Sequence, residues 1–120
     1  MESIHDRAFV AYVLQKAHNP KALEMISQLK IWSKSSDDYQ WWSSENLQKD
    51  IETTSYILST MLDQSESIET VLPIIRWLLS QRNSFGGFIS SRATVIGLQA
   101  IIDFAVKFEY EPTKMDILFK

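Results

Sequence analysis

The sequence predicts an all-α fold, part of a two-layered α/α toroid in which helical hairpins stack as inner and outer helices. Three observations predict it. Compact apolar helices begin near Asp6, Asp50 and Ser91, at a spacing of about 40 residues, the length of one helix–turn–helix unit. A more amphipathic helix separates each neighbouring pair. Finally, a polar cap and a double glycine, Gly86-Gly87, turn the chain from a bulky helix into an apolar run over residues 93–106. No single hairpin of this kind buries both of its apolar faces, so the units must stack or close into rings.

Each element follows from local signals. Ala8, Phe9, Ala11, Tyr12, Val13 and Leu14 make a first apolar helix that ends near His18. Asn19-Pro20 restarts the chain, because Asn suits an N-cap and Pro suits the first helical position, where its missing N–H is not needed. Leu23, Ile26, Leu29 and Ile31 then repeat at helical spacing, giving a second helix that runs to Lys34. Residues 33–46 are polar apart from Tyr39, Trp41 and Trp42 and read as a loop with aromatic anchors.

Asp50 reads as the cap of a third helix carrying Ile51, Tyr56, Ile57, Leu58, Met61 and Leu62. A polar connection follows over residues 63–69. Pro73 is expected in the first turn of a fourth helix, since in a helix interior it would cost about 3 kcal/mol. That helix holds Ile74, Ile75, Trp77, Leu78 and Leu79. Ser90-Ser91 caps the fifth, which is apolar on nearly every face from Val95 to Ala105 and therefore calls for enclosure by other helices. In the tail, Met115, Ile117 and Phe119 alternate with Lys114, Asp116 and Leu118, a short strand reading. The domain expectation is a toroid portion over residues 1–110 and a tail over residues 111–120.

Composition narrows the function. At 120 residues the chain holds one domain at most, and 45% apolar residues suffice for its core. A net charge of −3 with no basic stripe argues against a nucleic-acid surface. No cysteine is present, which removes disulfides, thiolate metal sites and cysteine nucleophiles together. No stretch approaches the roughly 20 apolar residues of a membrane span. The acidic start at Glu2 and Asp6 does not read as a signal peptide, and no Asn-x-Ser/Thr acceptor occurs.

Candidate chemistry is sparse. His5 and His18 stand too far apart for a metal pair at helical spacing, and both read as surface or cap histidines. Asp37-Asp38 reads as a solvated turn. None of Ser33, Ser35, Ser36, Ser43 and Ser44 sits in a Gly-x-Ser-x-Gly elbow. Gly86-Gly87 lacks the spacing of a phosphate cradle and serves to turn the backbone. Trp32, Trp41, Trp42 and Trp77 are expected between layers, with their N–H groups partnered. No acid, base and nucleophile come together as a catalytic site requires; no cofactor or metal is expected.

The sequence resembles the thioester domain of the α2-macroglobulin and complement family. Asp50-Ile51-Glu52-Thr53-Thr54-Ser55-Tyr56-Ile57-Leu58 is similar to a family helix reading roughly [Asn/Glu]-Val-Glu-x-Thr-[Ala/Ser]-Tyr-x-Leu-Leu. Pro73-Ile74-Ile75-Arg76-Trp77-Leu78, Gln81-Arg82-Asn83 and Gly86-Gly87-Phe88 resemble the next block. Ser90-Ser91-Arg92-Ala93-Thr94-Val95 matches the family's Ser-Thr-Gln-Asp-Thr-Val in part, with Arg92 and Ala93 in place of Gln and Asp.

The resemblance implies the C-terminal portion of an α/α toroid, with the tail leading toward a following β domain. It implies structural roles for Glu52, Thr54, Tyr56, Arg76, Trp77, Gly86, Gly87, Phe88 and Thr94. The family's Gly-Cys-Gly-Glu-Gln thioester and its assisting histidine have no counterpart here, so no catalytic residue carries over. The implied setting is extracellular, with protein partners: proteinases or microbial-surface targets of a parent protein that inhibits proteinases or opsonises. Two other readings keep the helical architecture. One is an enzyme fragment of terpene-cyclase or prenyltransferase type, whose outer helices end in a turn resembling Gln81 to Gly86. The other is a small helical-repeat adaptor.

Overall fold

A computed structural model describes residues 3–82 and 87–108. In order come α1 (Ile4–Lys16), α2 (Lys21–Ile31), β1 (Lys34–Ser36), β2 (Tyr39–Trp41), α3 (Leu47–Asp63), α4 (Ile68–Ser80) and α5 (Ser91–Phe108). The expected tail strand and Gly86 lie outside the described residues.

Helix α3 is the axis of the molecule. It packs between α1 and α5, while α2 backs α1 and α4 backs α3. His5 meets Glu52 and Lys16 meets Asp63 at the same sequence offset of 47, which only parallel helices allow. Glu52 then meets Arg92 and Ser59 meets Asp103, so α5 runs parallel to α3 as well. The inner layer is thus a row of three parallel helices, and α2 and α4 return the chain along the outside. Every residue from Ile51 to Leu62 is buried.

Helices α3 and α4 begin about a turn before the positions their sequence signals suggest. Asn46, not Asp50, caps α3: its side chain accepts the Lys49 N–H, while Asp50 Oδ1 accepts the Ser44 N–H at 2.6 Å. Ser67 caps α4 through the Thr70 N–H, so Pro73 sits inside the helix rather than in its first turn. Burial of Val71, Ile74, Ile75, Trp77 and Leu78 offsets the bond that Pro73 cannot make. Ser90 caps α5 as expected, accepting the Ala93 N–H. Asn19 Oδ1 accepts the Lys21 N–H ahead of α2, which stops at Ile31, short of Lys34.

Two inner helices end alike. His18 and Ser65 adopt φ of 58° and 61°. The following N–H groups, of Asn19 and Glu66, reach back to Leu14 O and Met61 O, the Schellman arrangement that satisfies orphan carbonyls. The expected loop at residues 33–46 is partly a hairpin. Ser36 pairs with Tyr39 and Lys34 with Trp41, leaving a two-residue turn in which Asp37 takes φ 55°, a conformation Asp tolerates.

Candidate functional site

The chemistry of the chain concentrates at the N-terminal ends of the three parallel helices, around Glu52. This carboxylate is only 2% exposed, and a buried charge is tolerated only when paired and hydrogen-bonded. Three helices meet the requirement. His5 Nε2 on α1 donates to Oε1 at 2.9 Å, Gln48 Nε2 donates to Oε2 at 2.9 Å, and Arg92 Nε on α5 pairs with Oε1 at 3.3 Å. Arg92 is itself 63% exposed, so its pairing contributes less than the buried contacts.

His5 corrects the reading of a surface histidine. It lies on the face shared by Ala8 and Ala11, buried against α3, and its Nδ1 has no hydrogen-bond partner; the Asp6 carboxylate stands 3.7 Å from it. Tyr56 packs one turn beyond Glu52, with the rings of Phe9 and Tyr12 each at 5.3 Å and that of His5 at 6.1 Å. Burial pushes the Tyr56 phenol above its usual range, and the Arg92 guanidinium partly opposes the shift. His18 is exposed and serves only to end α1.

A second pattern ties each incoming loop to its inner helix. Thr54 accepts the backbone N–H of Trp42 at 3.0 Å. Thr94 accepts that of Phe88 at 2.9 Å and donates to Ser90 O at 2.7 Å. Glu52 and Arg92 each precede such a threonine by two residues, so equivalent positions of the repeat carry opposite charges and pair with one another. The anchored aromatics are the plugs between layers. Trp42 is fully buried, with Nε1–H on Leu29 O at 2.6 Å. Phe88 lies so close to Gly97 that a Cβ there would sit 2.6 Å from its ring.

Glu52, Tyr56 and the unforeseen His5, Gln48 and Arg92 therefore form one cluster. Thr54, Phe88 and Thr94 belong to the loop anchors. Trp77 stacks on Trp41 at 6.0 Å and 7°, holding the hairpin against α4, and Arg76 is half-buried on the same helix. Trp32 remains partly exposed, with the Arg7 guanidinium over its ring at 5.1 Å. Among the described residues, no three His, Cys, Asp or Glu side chains converge as metal ligands would. The His5–Glu52 pair joins α1 to α3.

Comparison with known proteins gives the same direction. The family model of the A-macroglobulin TED domain matches residues 1–104. Ovostatin of Gallus gallus is 29% identical over 116 residues, 82% of this chain and 8% of that protein. Venom factor of Crotalus adamanteus is 26% identical over 115 residues, 94% of this chain and 6% of that protein. Thioester-containing protein 1 allele S3 of Anopheles gambiae is 27% identical over 119 residues, 97% of this chain and 8% of that protein. The chain thus spans less than a tenth of the length of these relatives.

Proposed function

This chain belongs to the A-macroglobulin TED domain family, and from that premise we propose that it is a non-catalytic piece of an extracellular macroglobulin- or complement-like protein. Its contribution is scaffold and contact surface. The observation that carries this reading is the commitment of the polar groups. Glu52 is spent on joining α1, α3 and α5, Thr54 and Thr94 are spent on loop backbones, and a sequence without cysteine has no thiol with which to form a thioester.

In this proposal residues 1–110 belong to the toroid and 111–120 lead toward a following β domain. Targets are engaged through the parent protein, as proteinases or as microbial surfaces. The two roles share one requirement of this piece: a rigid wall of parallel helices held in register.

Intact-mass spectrometry tests the non-catalytic assignment. The purified chain is incubated with a biotinylated primary amine and, separately, with glycerol and with a serine proteinase. The expected result is no covalent gain in mass in any of the three. A covalent adduct that survives denaturation and maps to one residue would overturn the assignment.

A further inference from the structure

The row of inner helices has two flanks, and neither carries the polar face with which a repeat array normally stops. On α5 the exposed side chains Val95, Gln99, Ile102 and Val106 stand four, three and four residues apart. They form one stripe along the helix, opposite the buried Ala93, Gly97, Ala100 and Phe104. Its three apolar members are 70%, 44% and 73% exposed. On α1 Asp6, Val10, Val13 and the cap residue Ala17 repeat the same spacing and are exposed, opposite buried Ala8 and Ala11.

The repeat shows what the α5 stripe is placed to meet. Helix α3 faces α5 through Glu52, Ser55, Ser59 and Leu62. Glu52 pairs with Arg92, Ser59 donates to Asp103, and Ser55 and Leu62 line clefts shared with α5. Forty residues on, the corresponding positions of α5 are Arg92, Val95, Gln99 and Ile102. They are turned toward the place that a further parallel helix would take.

The α1 flank of a second copy fits that place. With the stripes in register, Gln99 lies beside Val10, Ile102 beside Val13 and Val106 beside Ala17. The first turns then come level, bringing Arg92 near Asp6. These side chains are 63% and 64% exposed. Arg92 bonds Glu52 and Tyr56 with part of its five-donor guanidinium, and the Asp6 carboxylate stands 3.7 Å from His5 Nδ1, beyond a hydrogen bond. Pairing like flanks in parallel is worse, since it sets Arg92 against Arg92 or Asp6 against Asp6. At the far end Lys16 and Lys107 are turned to Asp63 and Ser65 of their own chain.

We propose that this chain associates head to tail. Helix α5 of one copy docks in parallel on α1 of a second, through Val95, Ile102 and Val106 against Val10 and Val13, with Arg92 beside the second copy's Asp6. The proposal concerns the flanks of the row and is independent of the scaffold role above. One helix against one helix is a small interface, so the dissociation constant is of order 0.1 mM.

Sedimentation equilibrium of the full chain between about 10 μM and 1 mM, a range that brackets this constant, tests it with two variants. Val95→Glu sets a carboxylate against Asp6 and blocks the α5 stripe. Val13→Glu blocks the α1 stripe by burying a charge against Ile102. Both positions are exposed in the single copy, and circular dichroism should show unchanged helix content. The parent should gain average mass with concentration, and each variant alone should remain a monomer. An equimolar mixture of the two should form a one-to-one dimer and nothing larger, because the intact α5 of one meets the intact α1 of the other. Asp6→Asn in the parent should weaken association about threefold. A parent that stays monomeric, self-association by either variant, a mixture that stays monomeric, or an Asp6→Asn affinity equal to the parent's would overturn the proposal.

Discussion

Helices α3 and α5 lie side by side in the same row, yet they reverse what their sequences suggest. Helix α5 carries the long apolar run that calls for enclosure, and it leaves Val95, Ile102 and Val106 at 70%, 44% and 73% exposure. Helix α3 is interrupted by Thr53, Thr54, Ser55, Ser59 and Thr60, and all five are buried. Position in the layer decides the difference. The central helix has a neighbour on each flank and α4 behind it; small hydroxyl side chains let those neighbours approach closely. Two of those hydroxyls are satisfied locally, Ser55 and Thr60 bonding back to Ile51 O and Tyr56 O, each at 2.7 Å, while Thr54 bonds to Trp42 and Ser59 to Asp103. The edge helix has one inner neighbour, and its surplus apolar side chains face outward.

The sharpest way to break this comparison lies within α5 itself. Phe104 is fully buried and tilted against Phe108 at 5.1 Å, so Phe104→Ala should cost about 3–5 kcal/mol in urea unfolding. Val106→Ser, half a turn away, should stay within about 0.5 kcal/mol. If the two substitutions cost the same, α5 is enclosed on all sides as its composition suggests. Next in size is Glu52→Gln. It removes the charge that His5 and Arg92 share and should cost about 2 kcal/mol, most of it from the buried His5 side.

Gly97→Ala follows. A bare helix position gains about 1 kcal/mol from Ala over Gly, but here the new Cβ would meet the Phe88 ring at 2.6 Å. Phe88 is buried and its backbone is tied to Thr94, so the ring has no room to swing clear. Overpacking should win, with a net loss of about 1–2 kcal/mol. A stabilised Gly97→Ala variant would mean that the Phe88 plug is loose.

The alkaline limb separates the α3 cluster from the rest. The Tyr56 phenol is raised above 10.0 chiefly by burial. A raised folded-state value means that its contribution is complete below the unfolded value and is lost as pH climbs through the folded one. Tyr56→Phe should therefore show a flatter loss of stability above pH 10 than the parent, and tyrosinate absorbance should lose its latest-titrating component.

The helices and their alternation could be read from apolar spacing alone, because one-sided periodicity survives whatever covers it. The Glu52 cluster could not. A lone histidine reads as surface unless its spacing to Ala8 and Ala11 is followed, and that spacing puts His5 on the buried face. Gly97 was legible in the same way, standing in register with Ala93, Ala100 and Phe104 on the inward side of α5. Arg92 was visible only as a departure from the family's Gln. Its partner lies 40 positions away in another helix, where no local pattern points. Pro73 misled because propensity assigns it to a first turn, while five buried neighbours hold it inside α4.

The smallest expected effect sharpens the comparison most. Thr53 is fully buried, and its Oγ1 has no hydrogen-bond partner, unlike Thr54, Ser55, Ser59 and Thr60 on the same helix. The equivalent positions on the flanking helices are Ala8 and Ala93, also fully buried. The hydroxyl there thus loses its hydration without return, while the rest of the side chain fills space. Thr53→Val keeps the shape and removes the orphan; the two residues have nearly equal helix propensity. Stability should stay level or rise by up to about 1 kcal/mol. Thr54→Val makes the contrasting pair, since it strips the Trp42 N–H of its acceptor and should cost about 1–3 kcal/mol. Were Thr53→Val to cost as much as Thr54→Val, the hydroxyls of α3 would act together, and the central helix would owe its burial to a polar network rather than to small size.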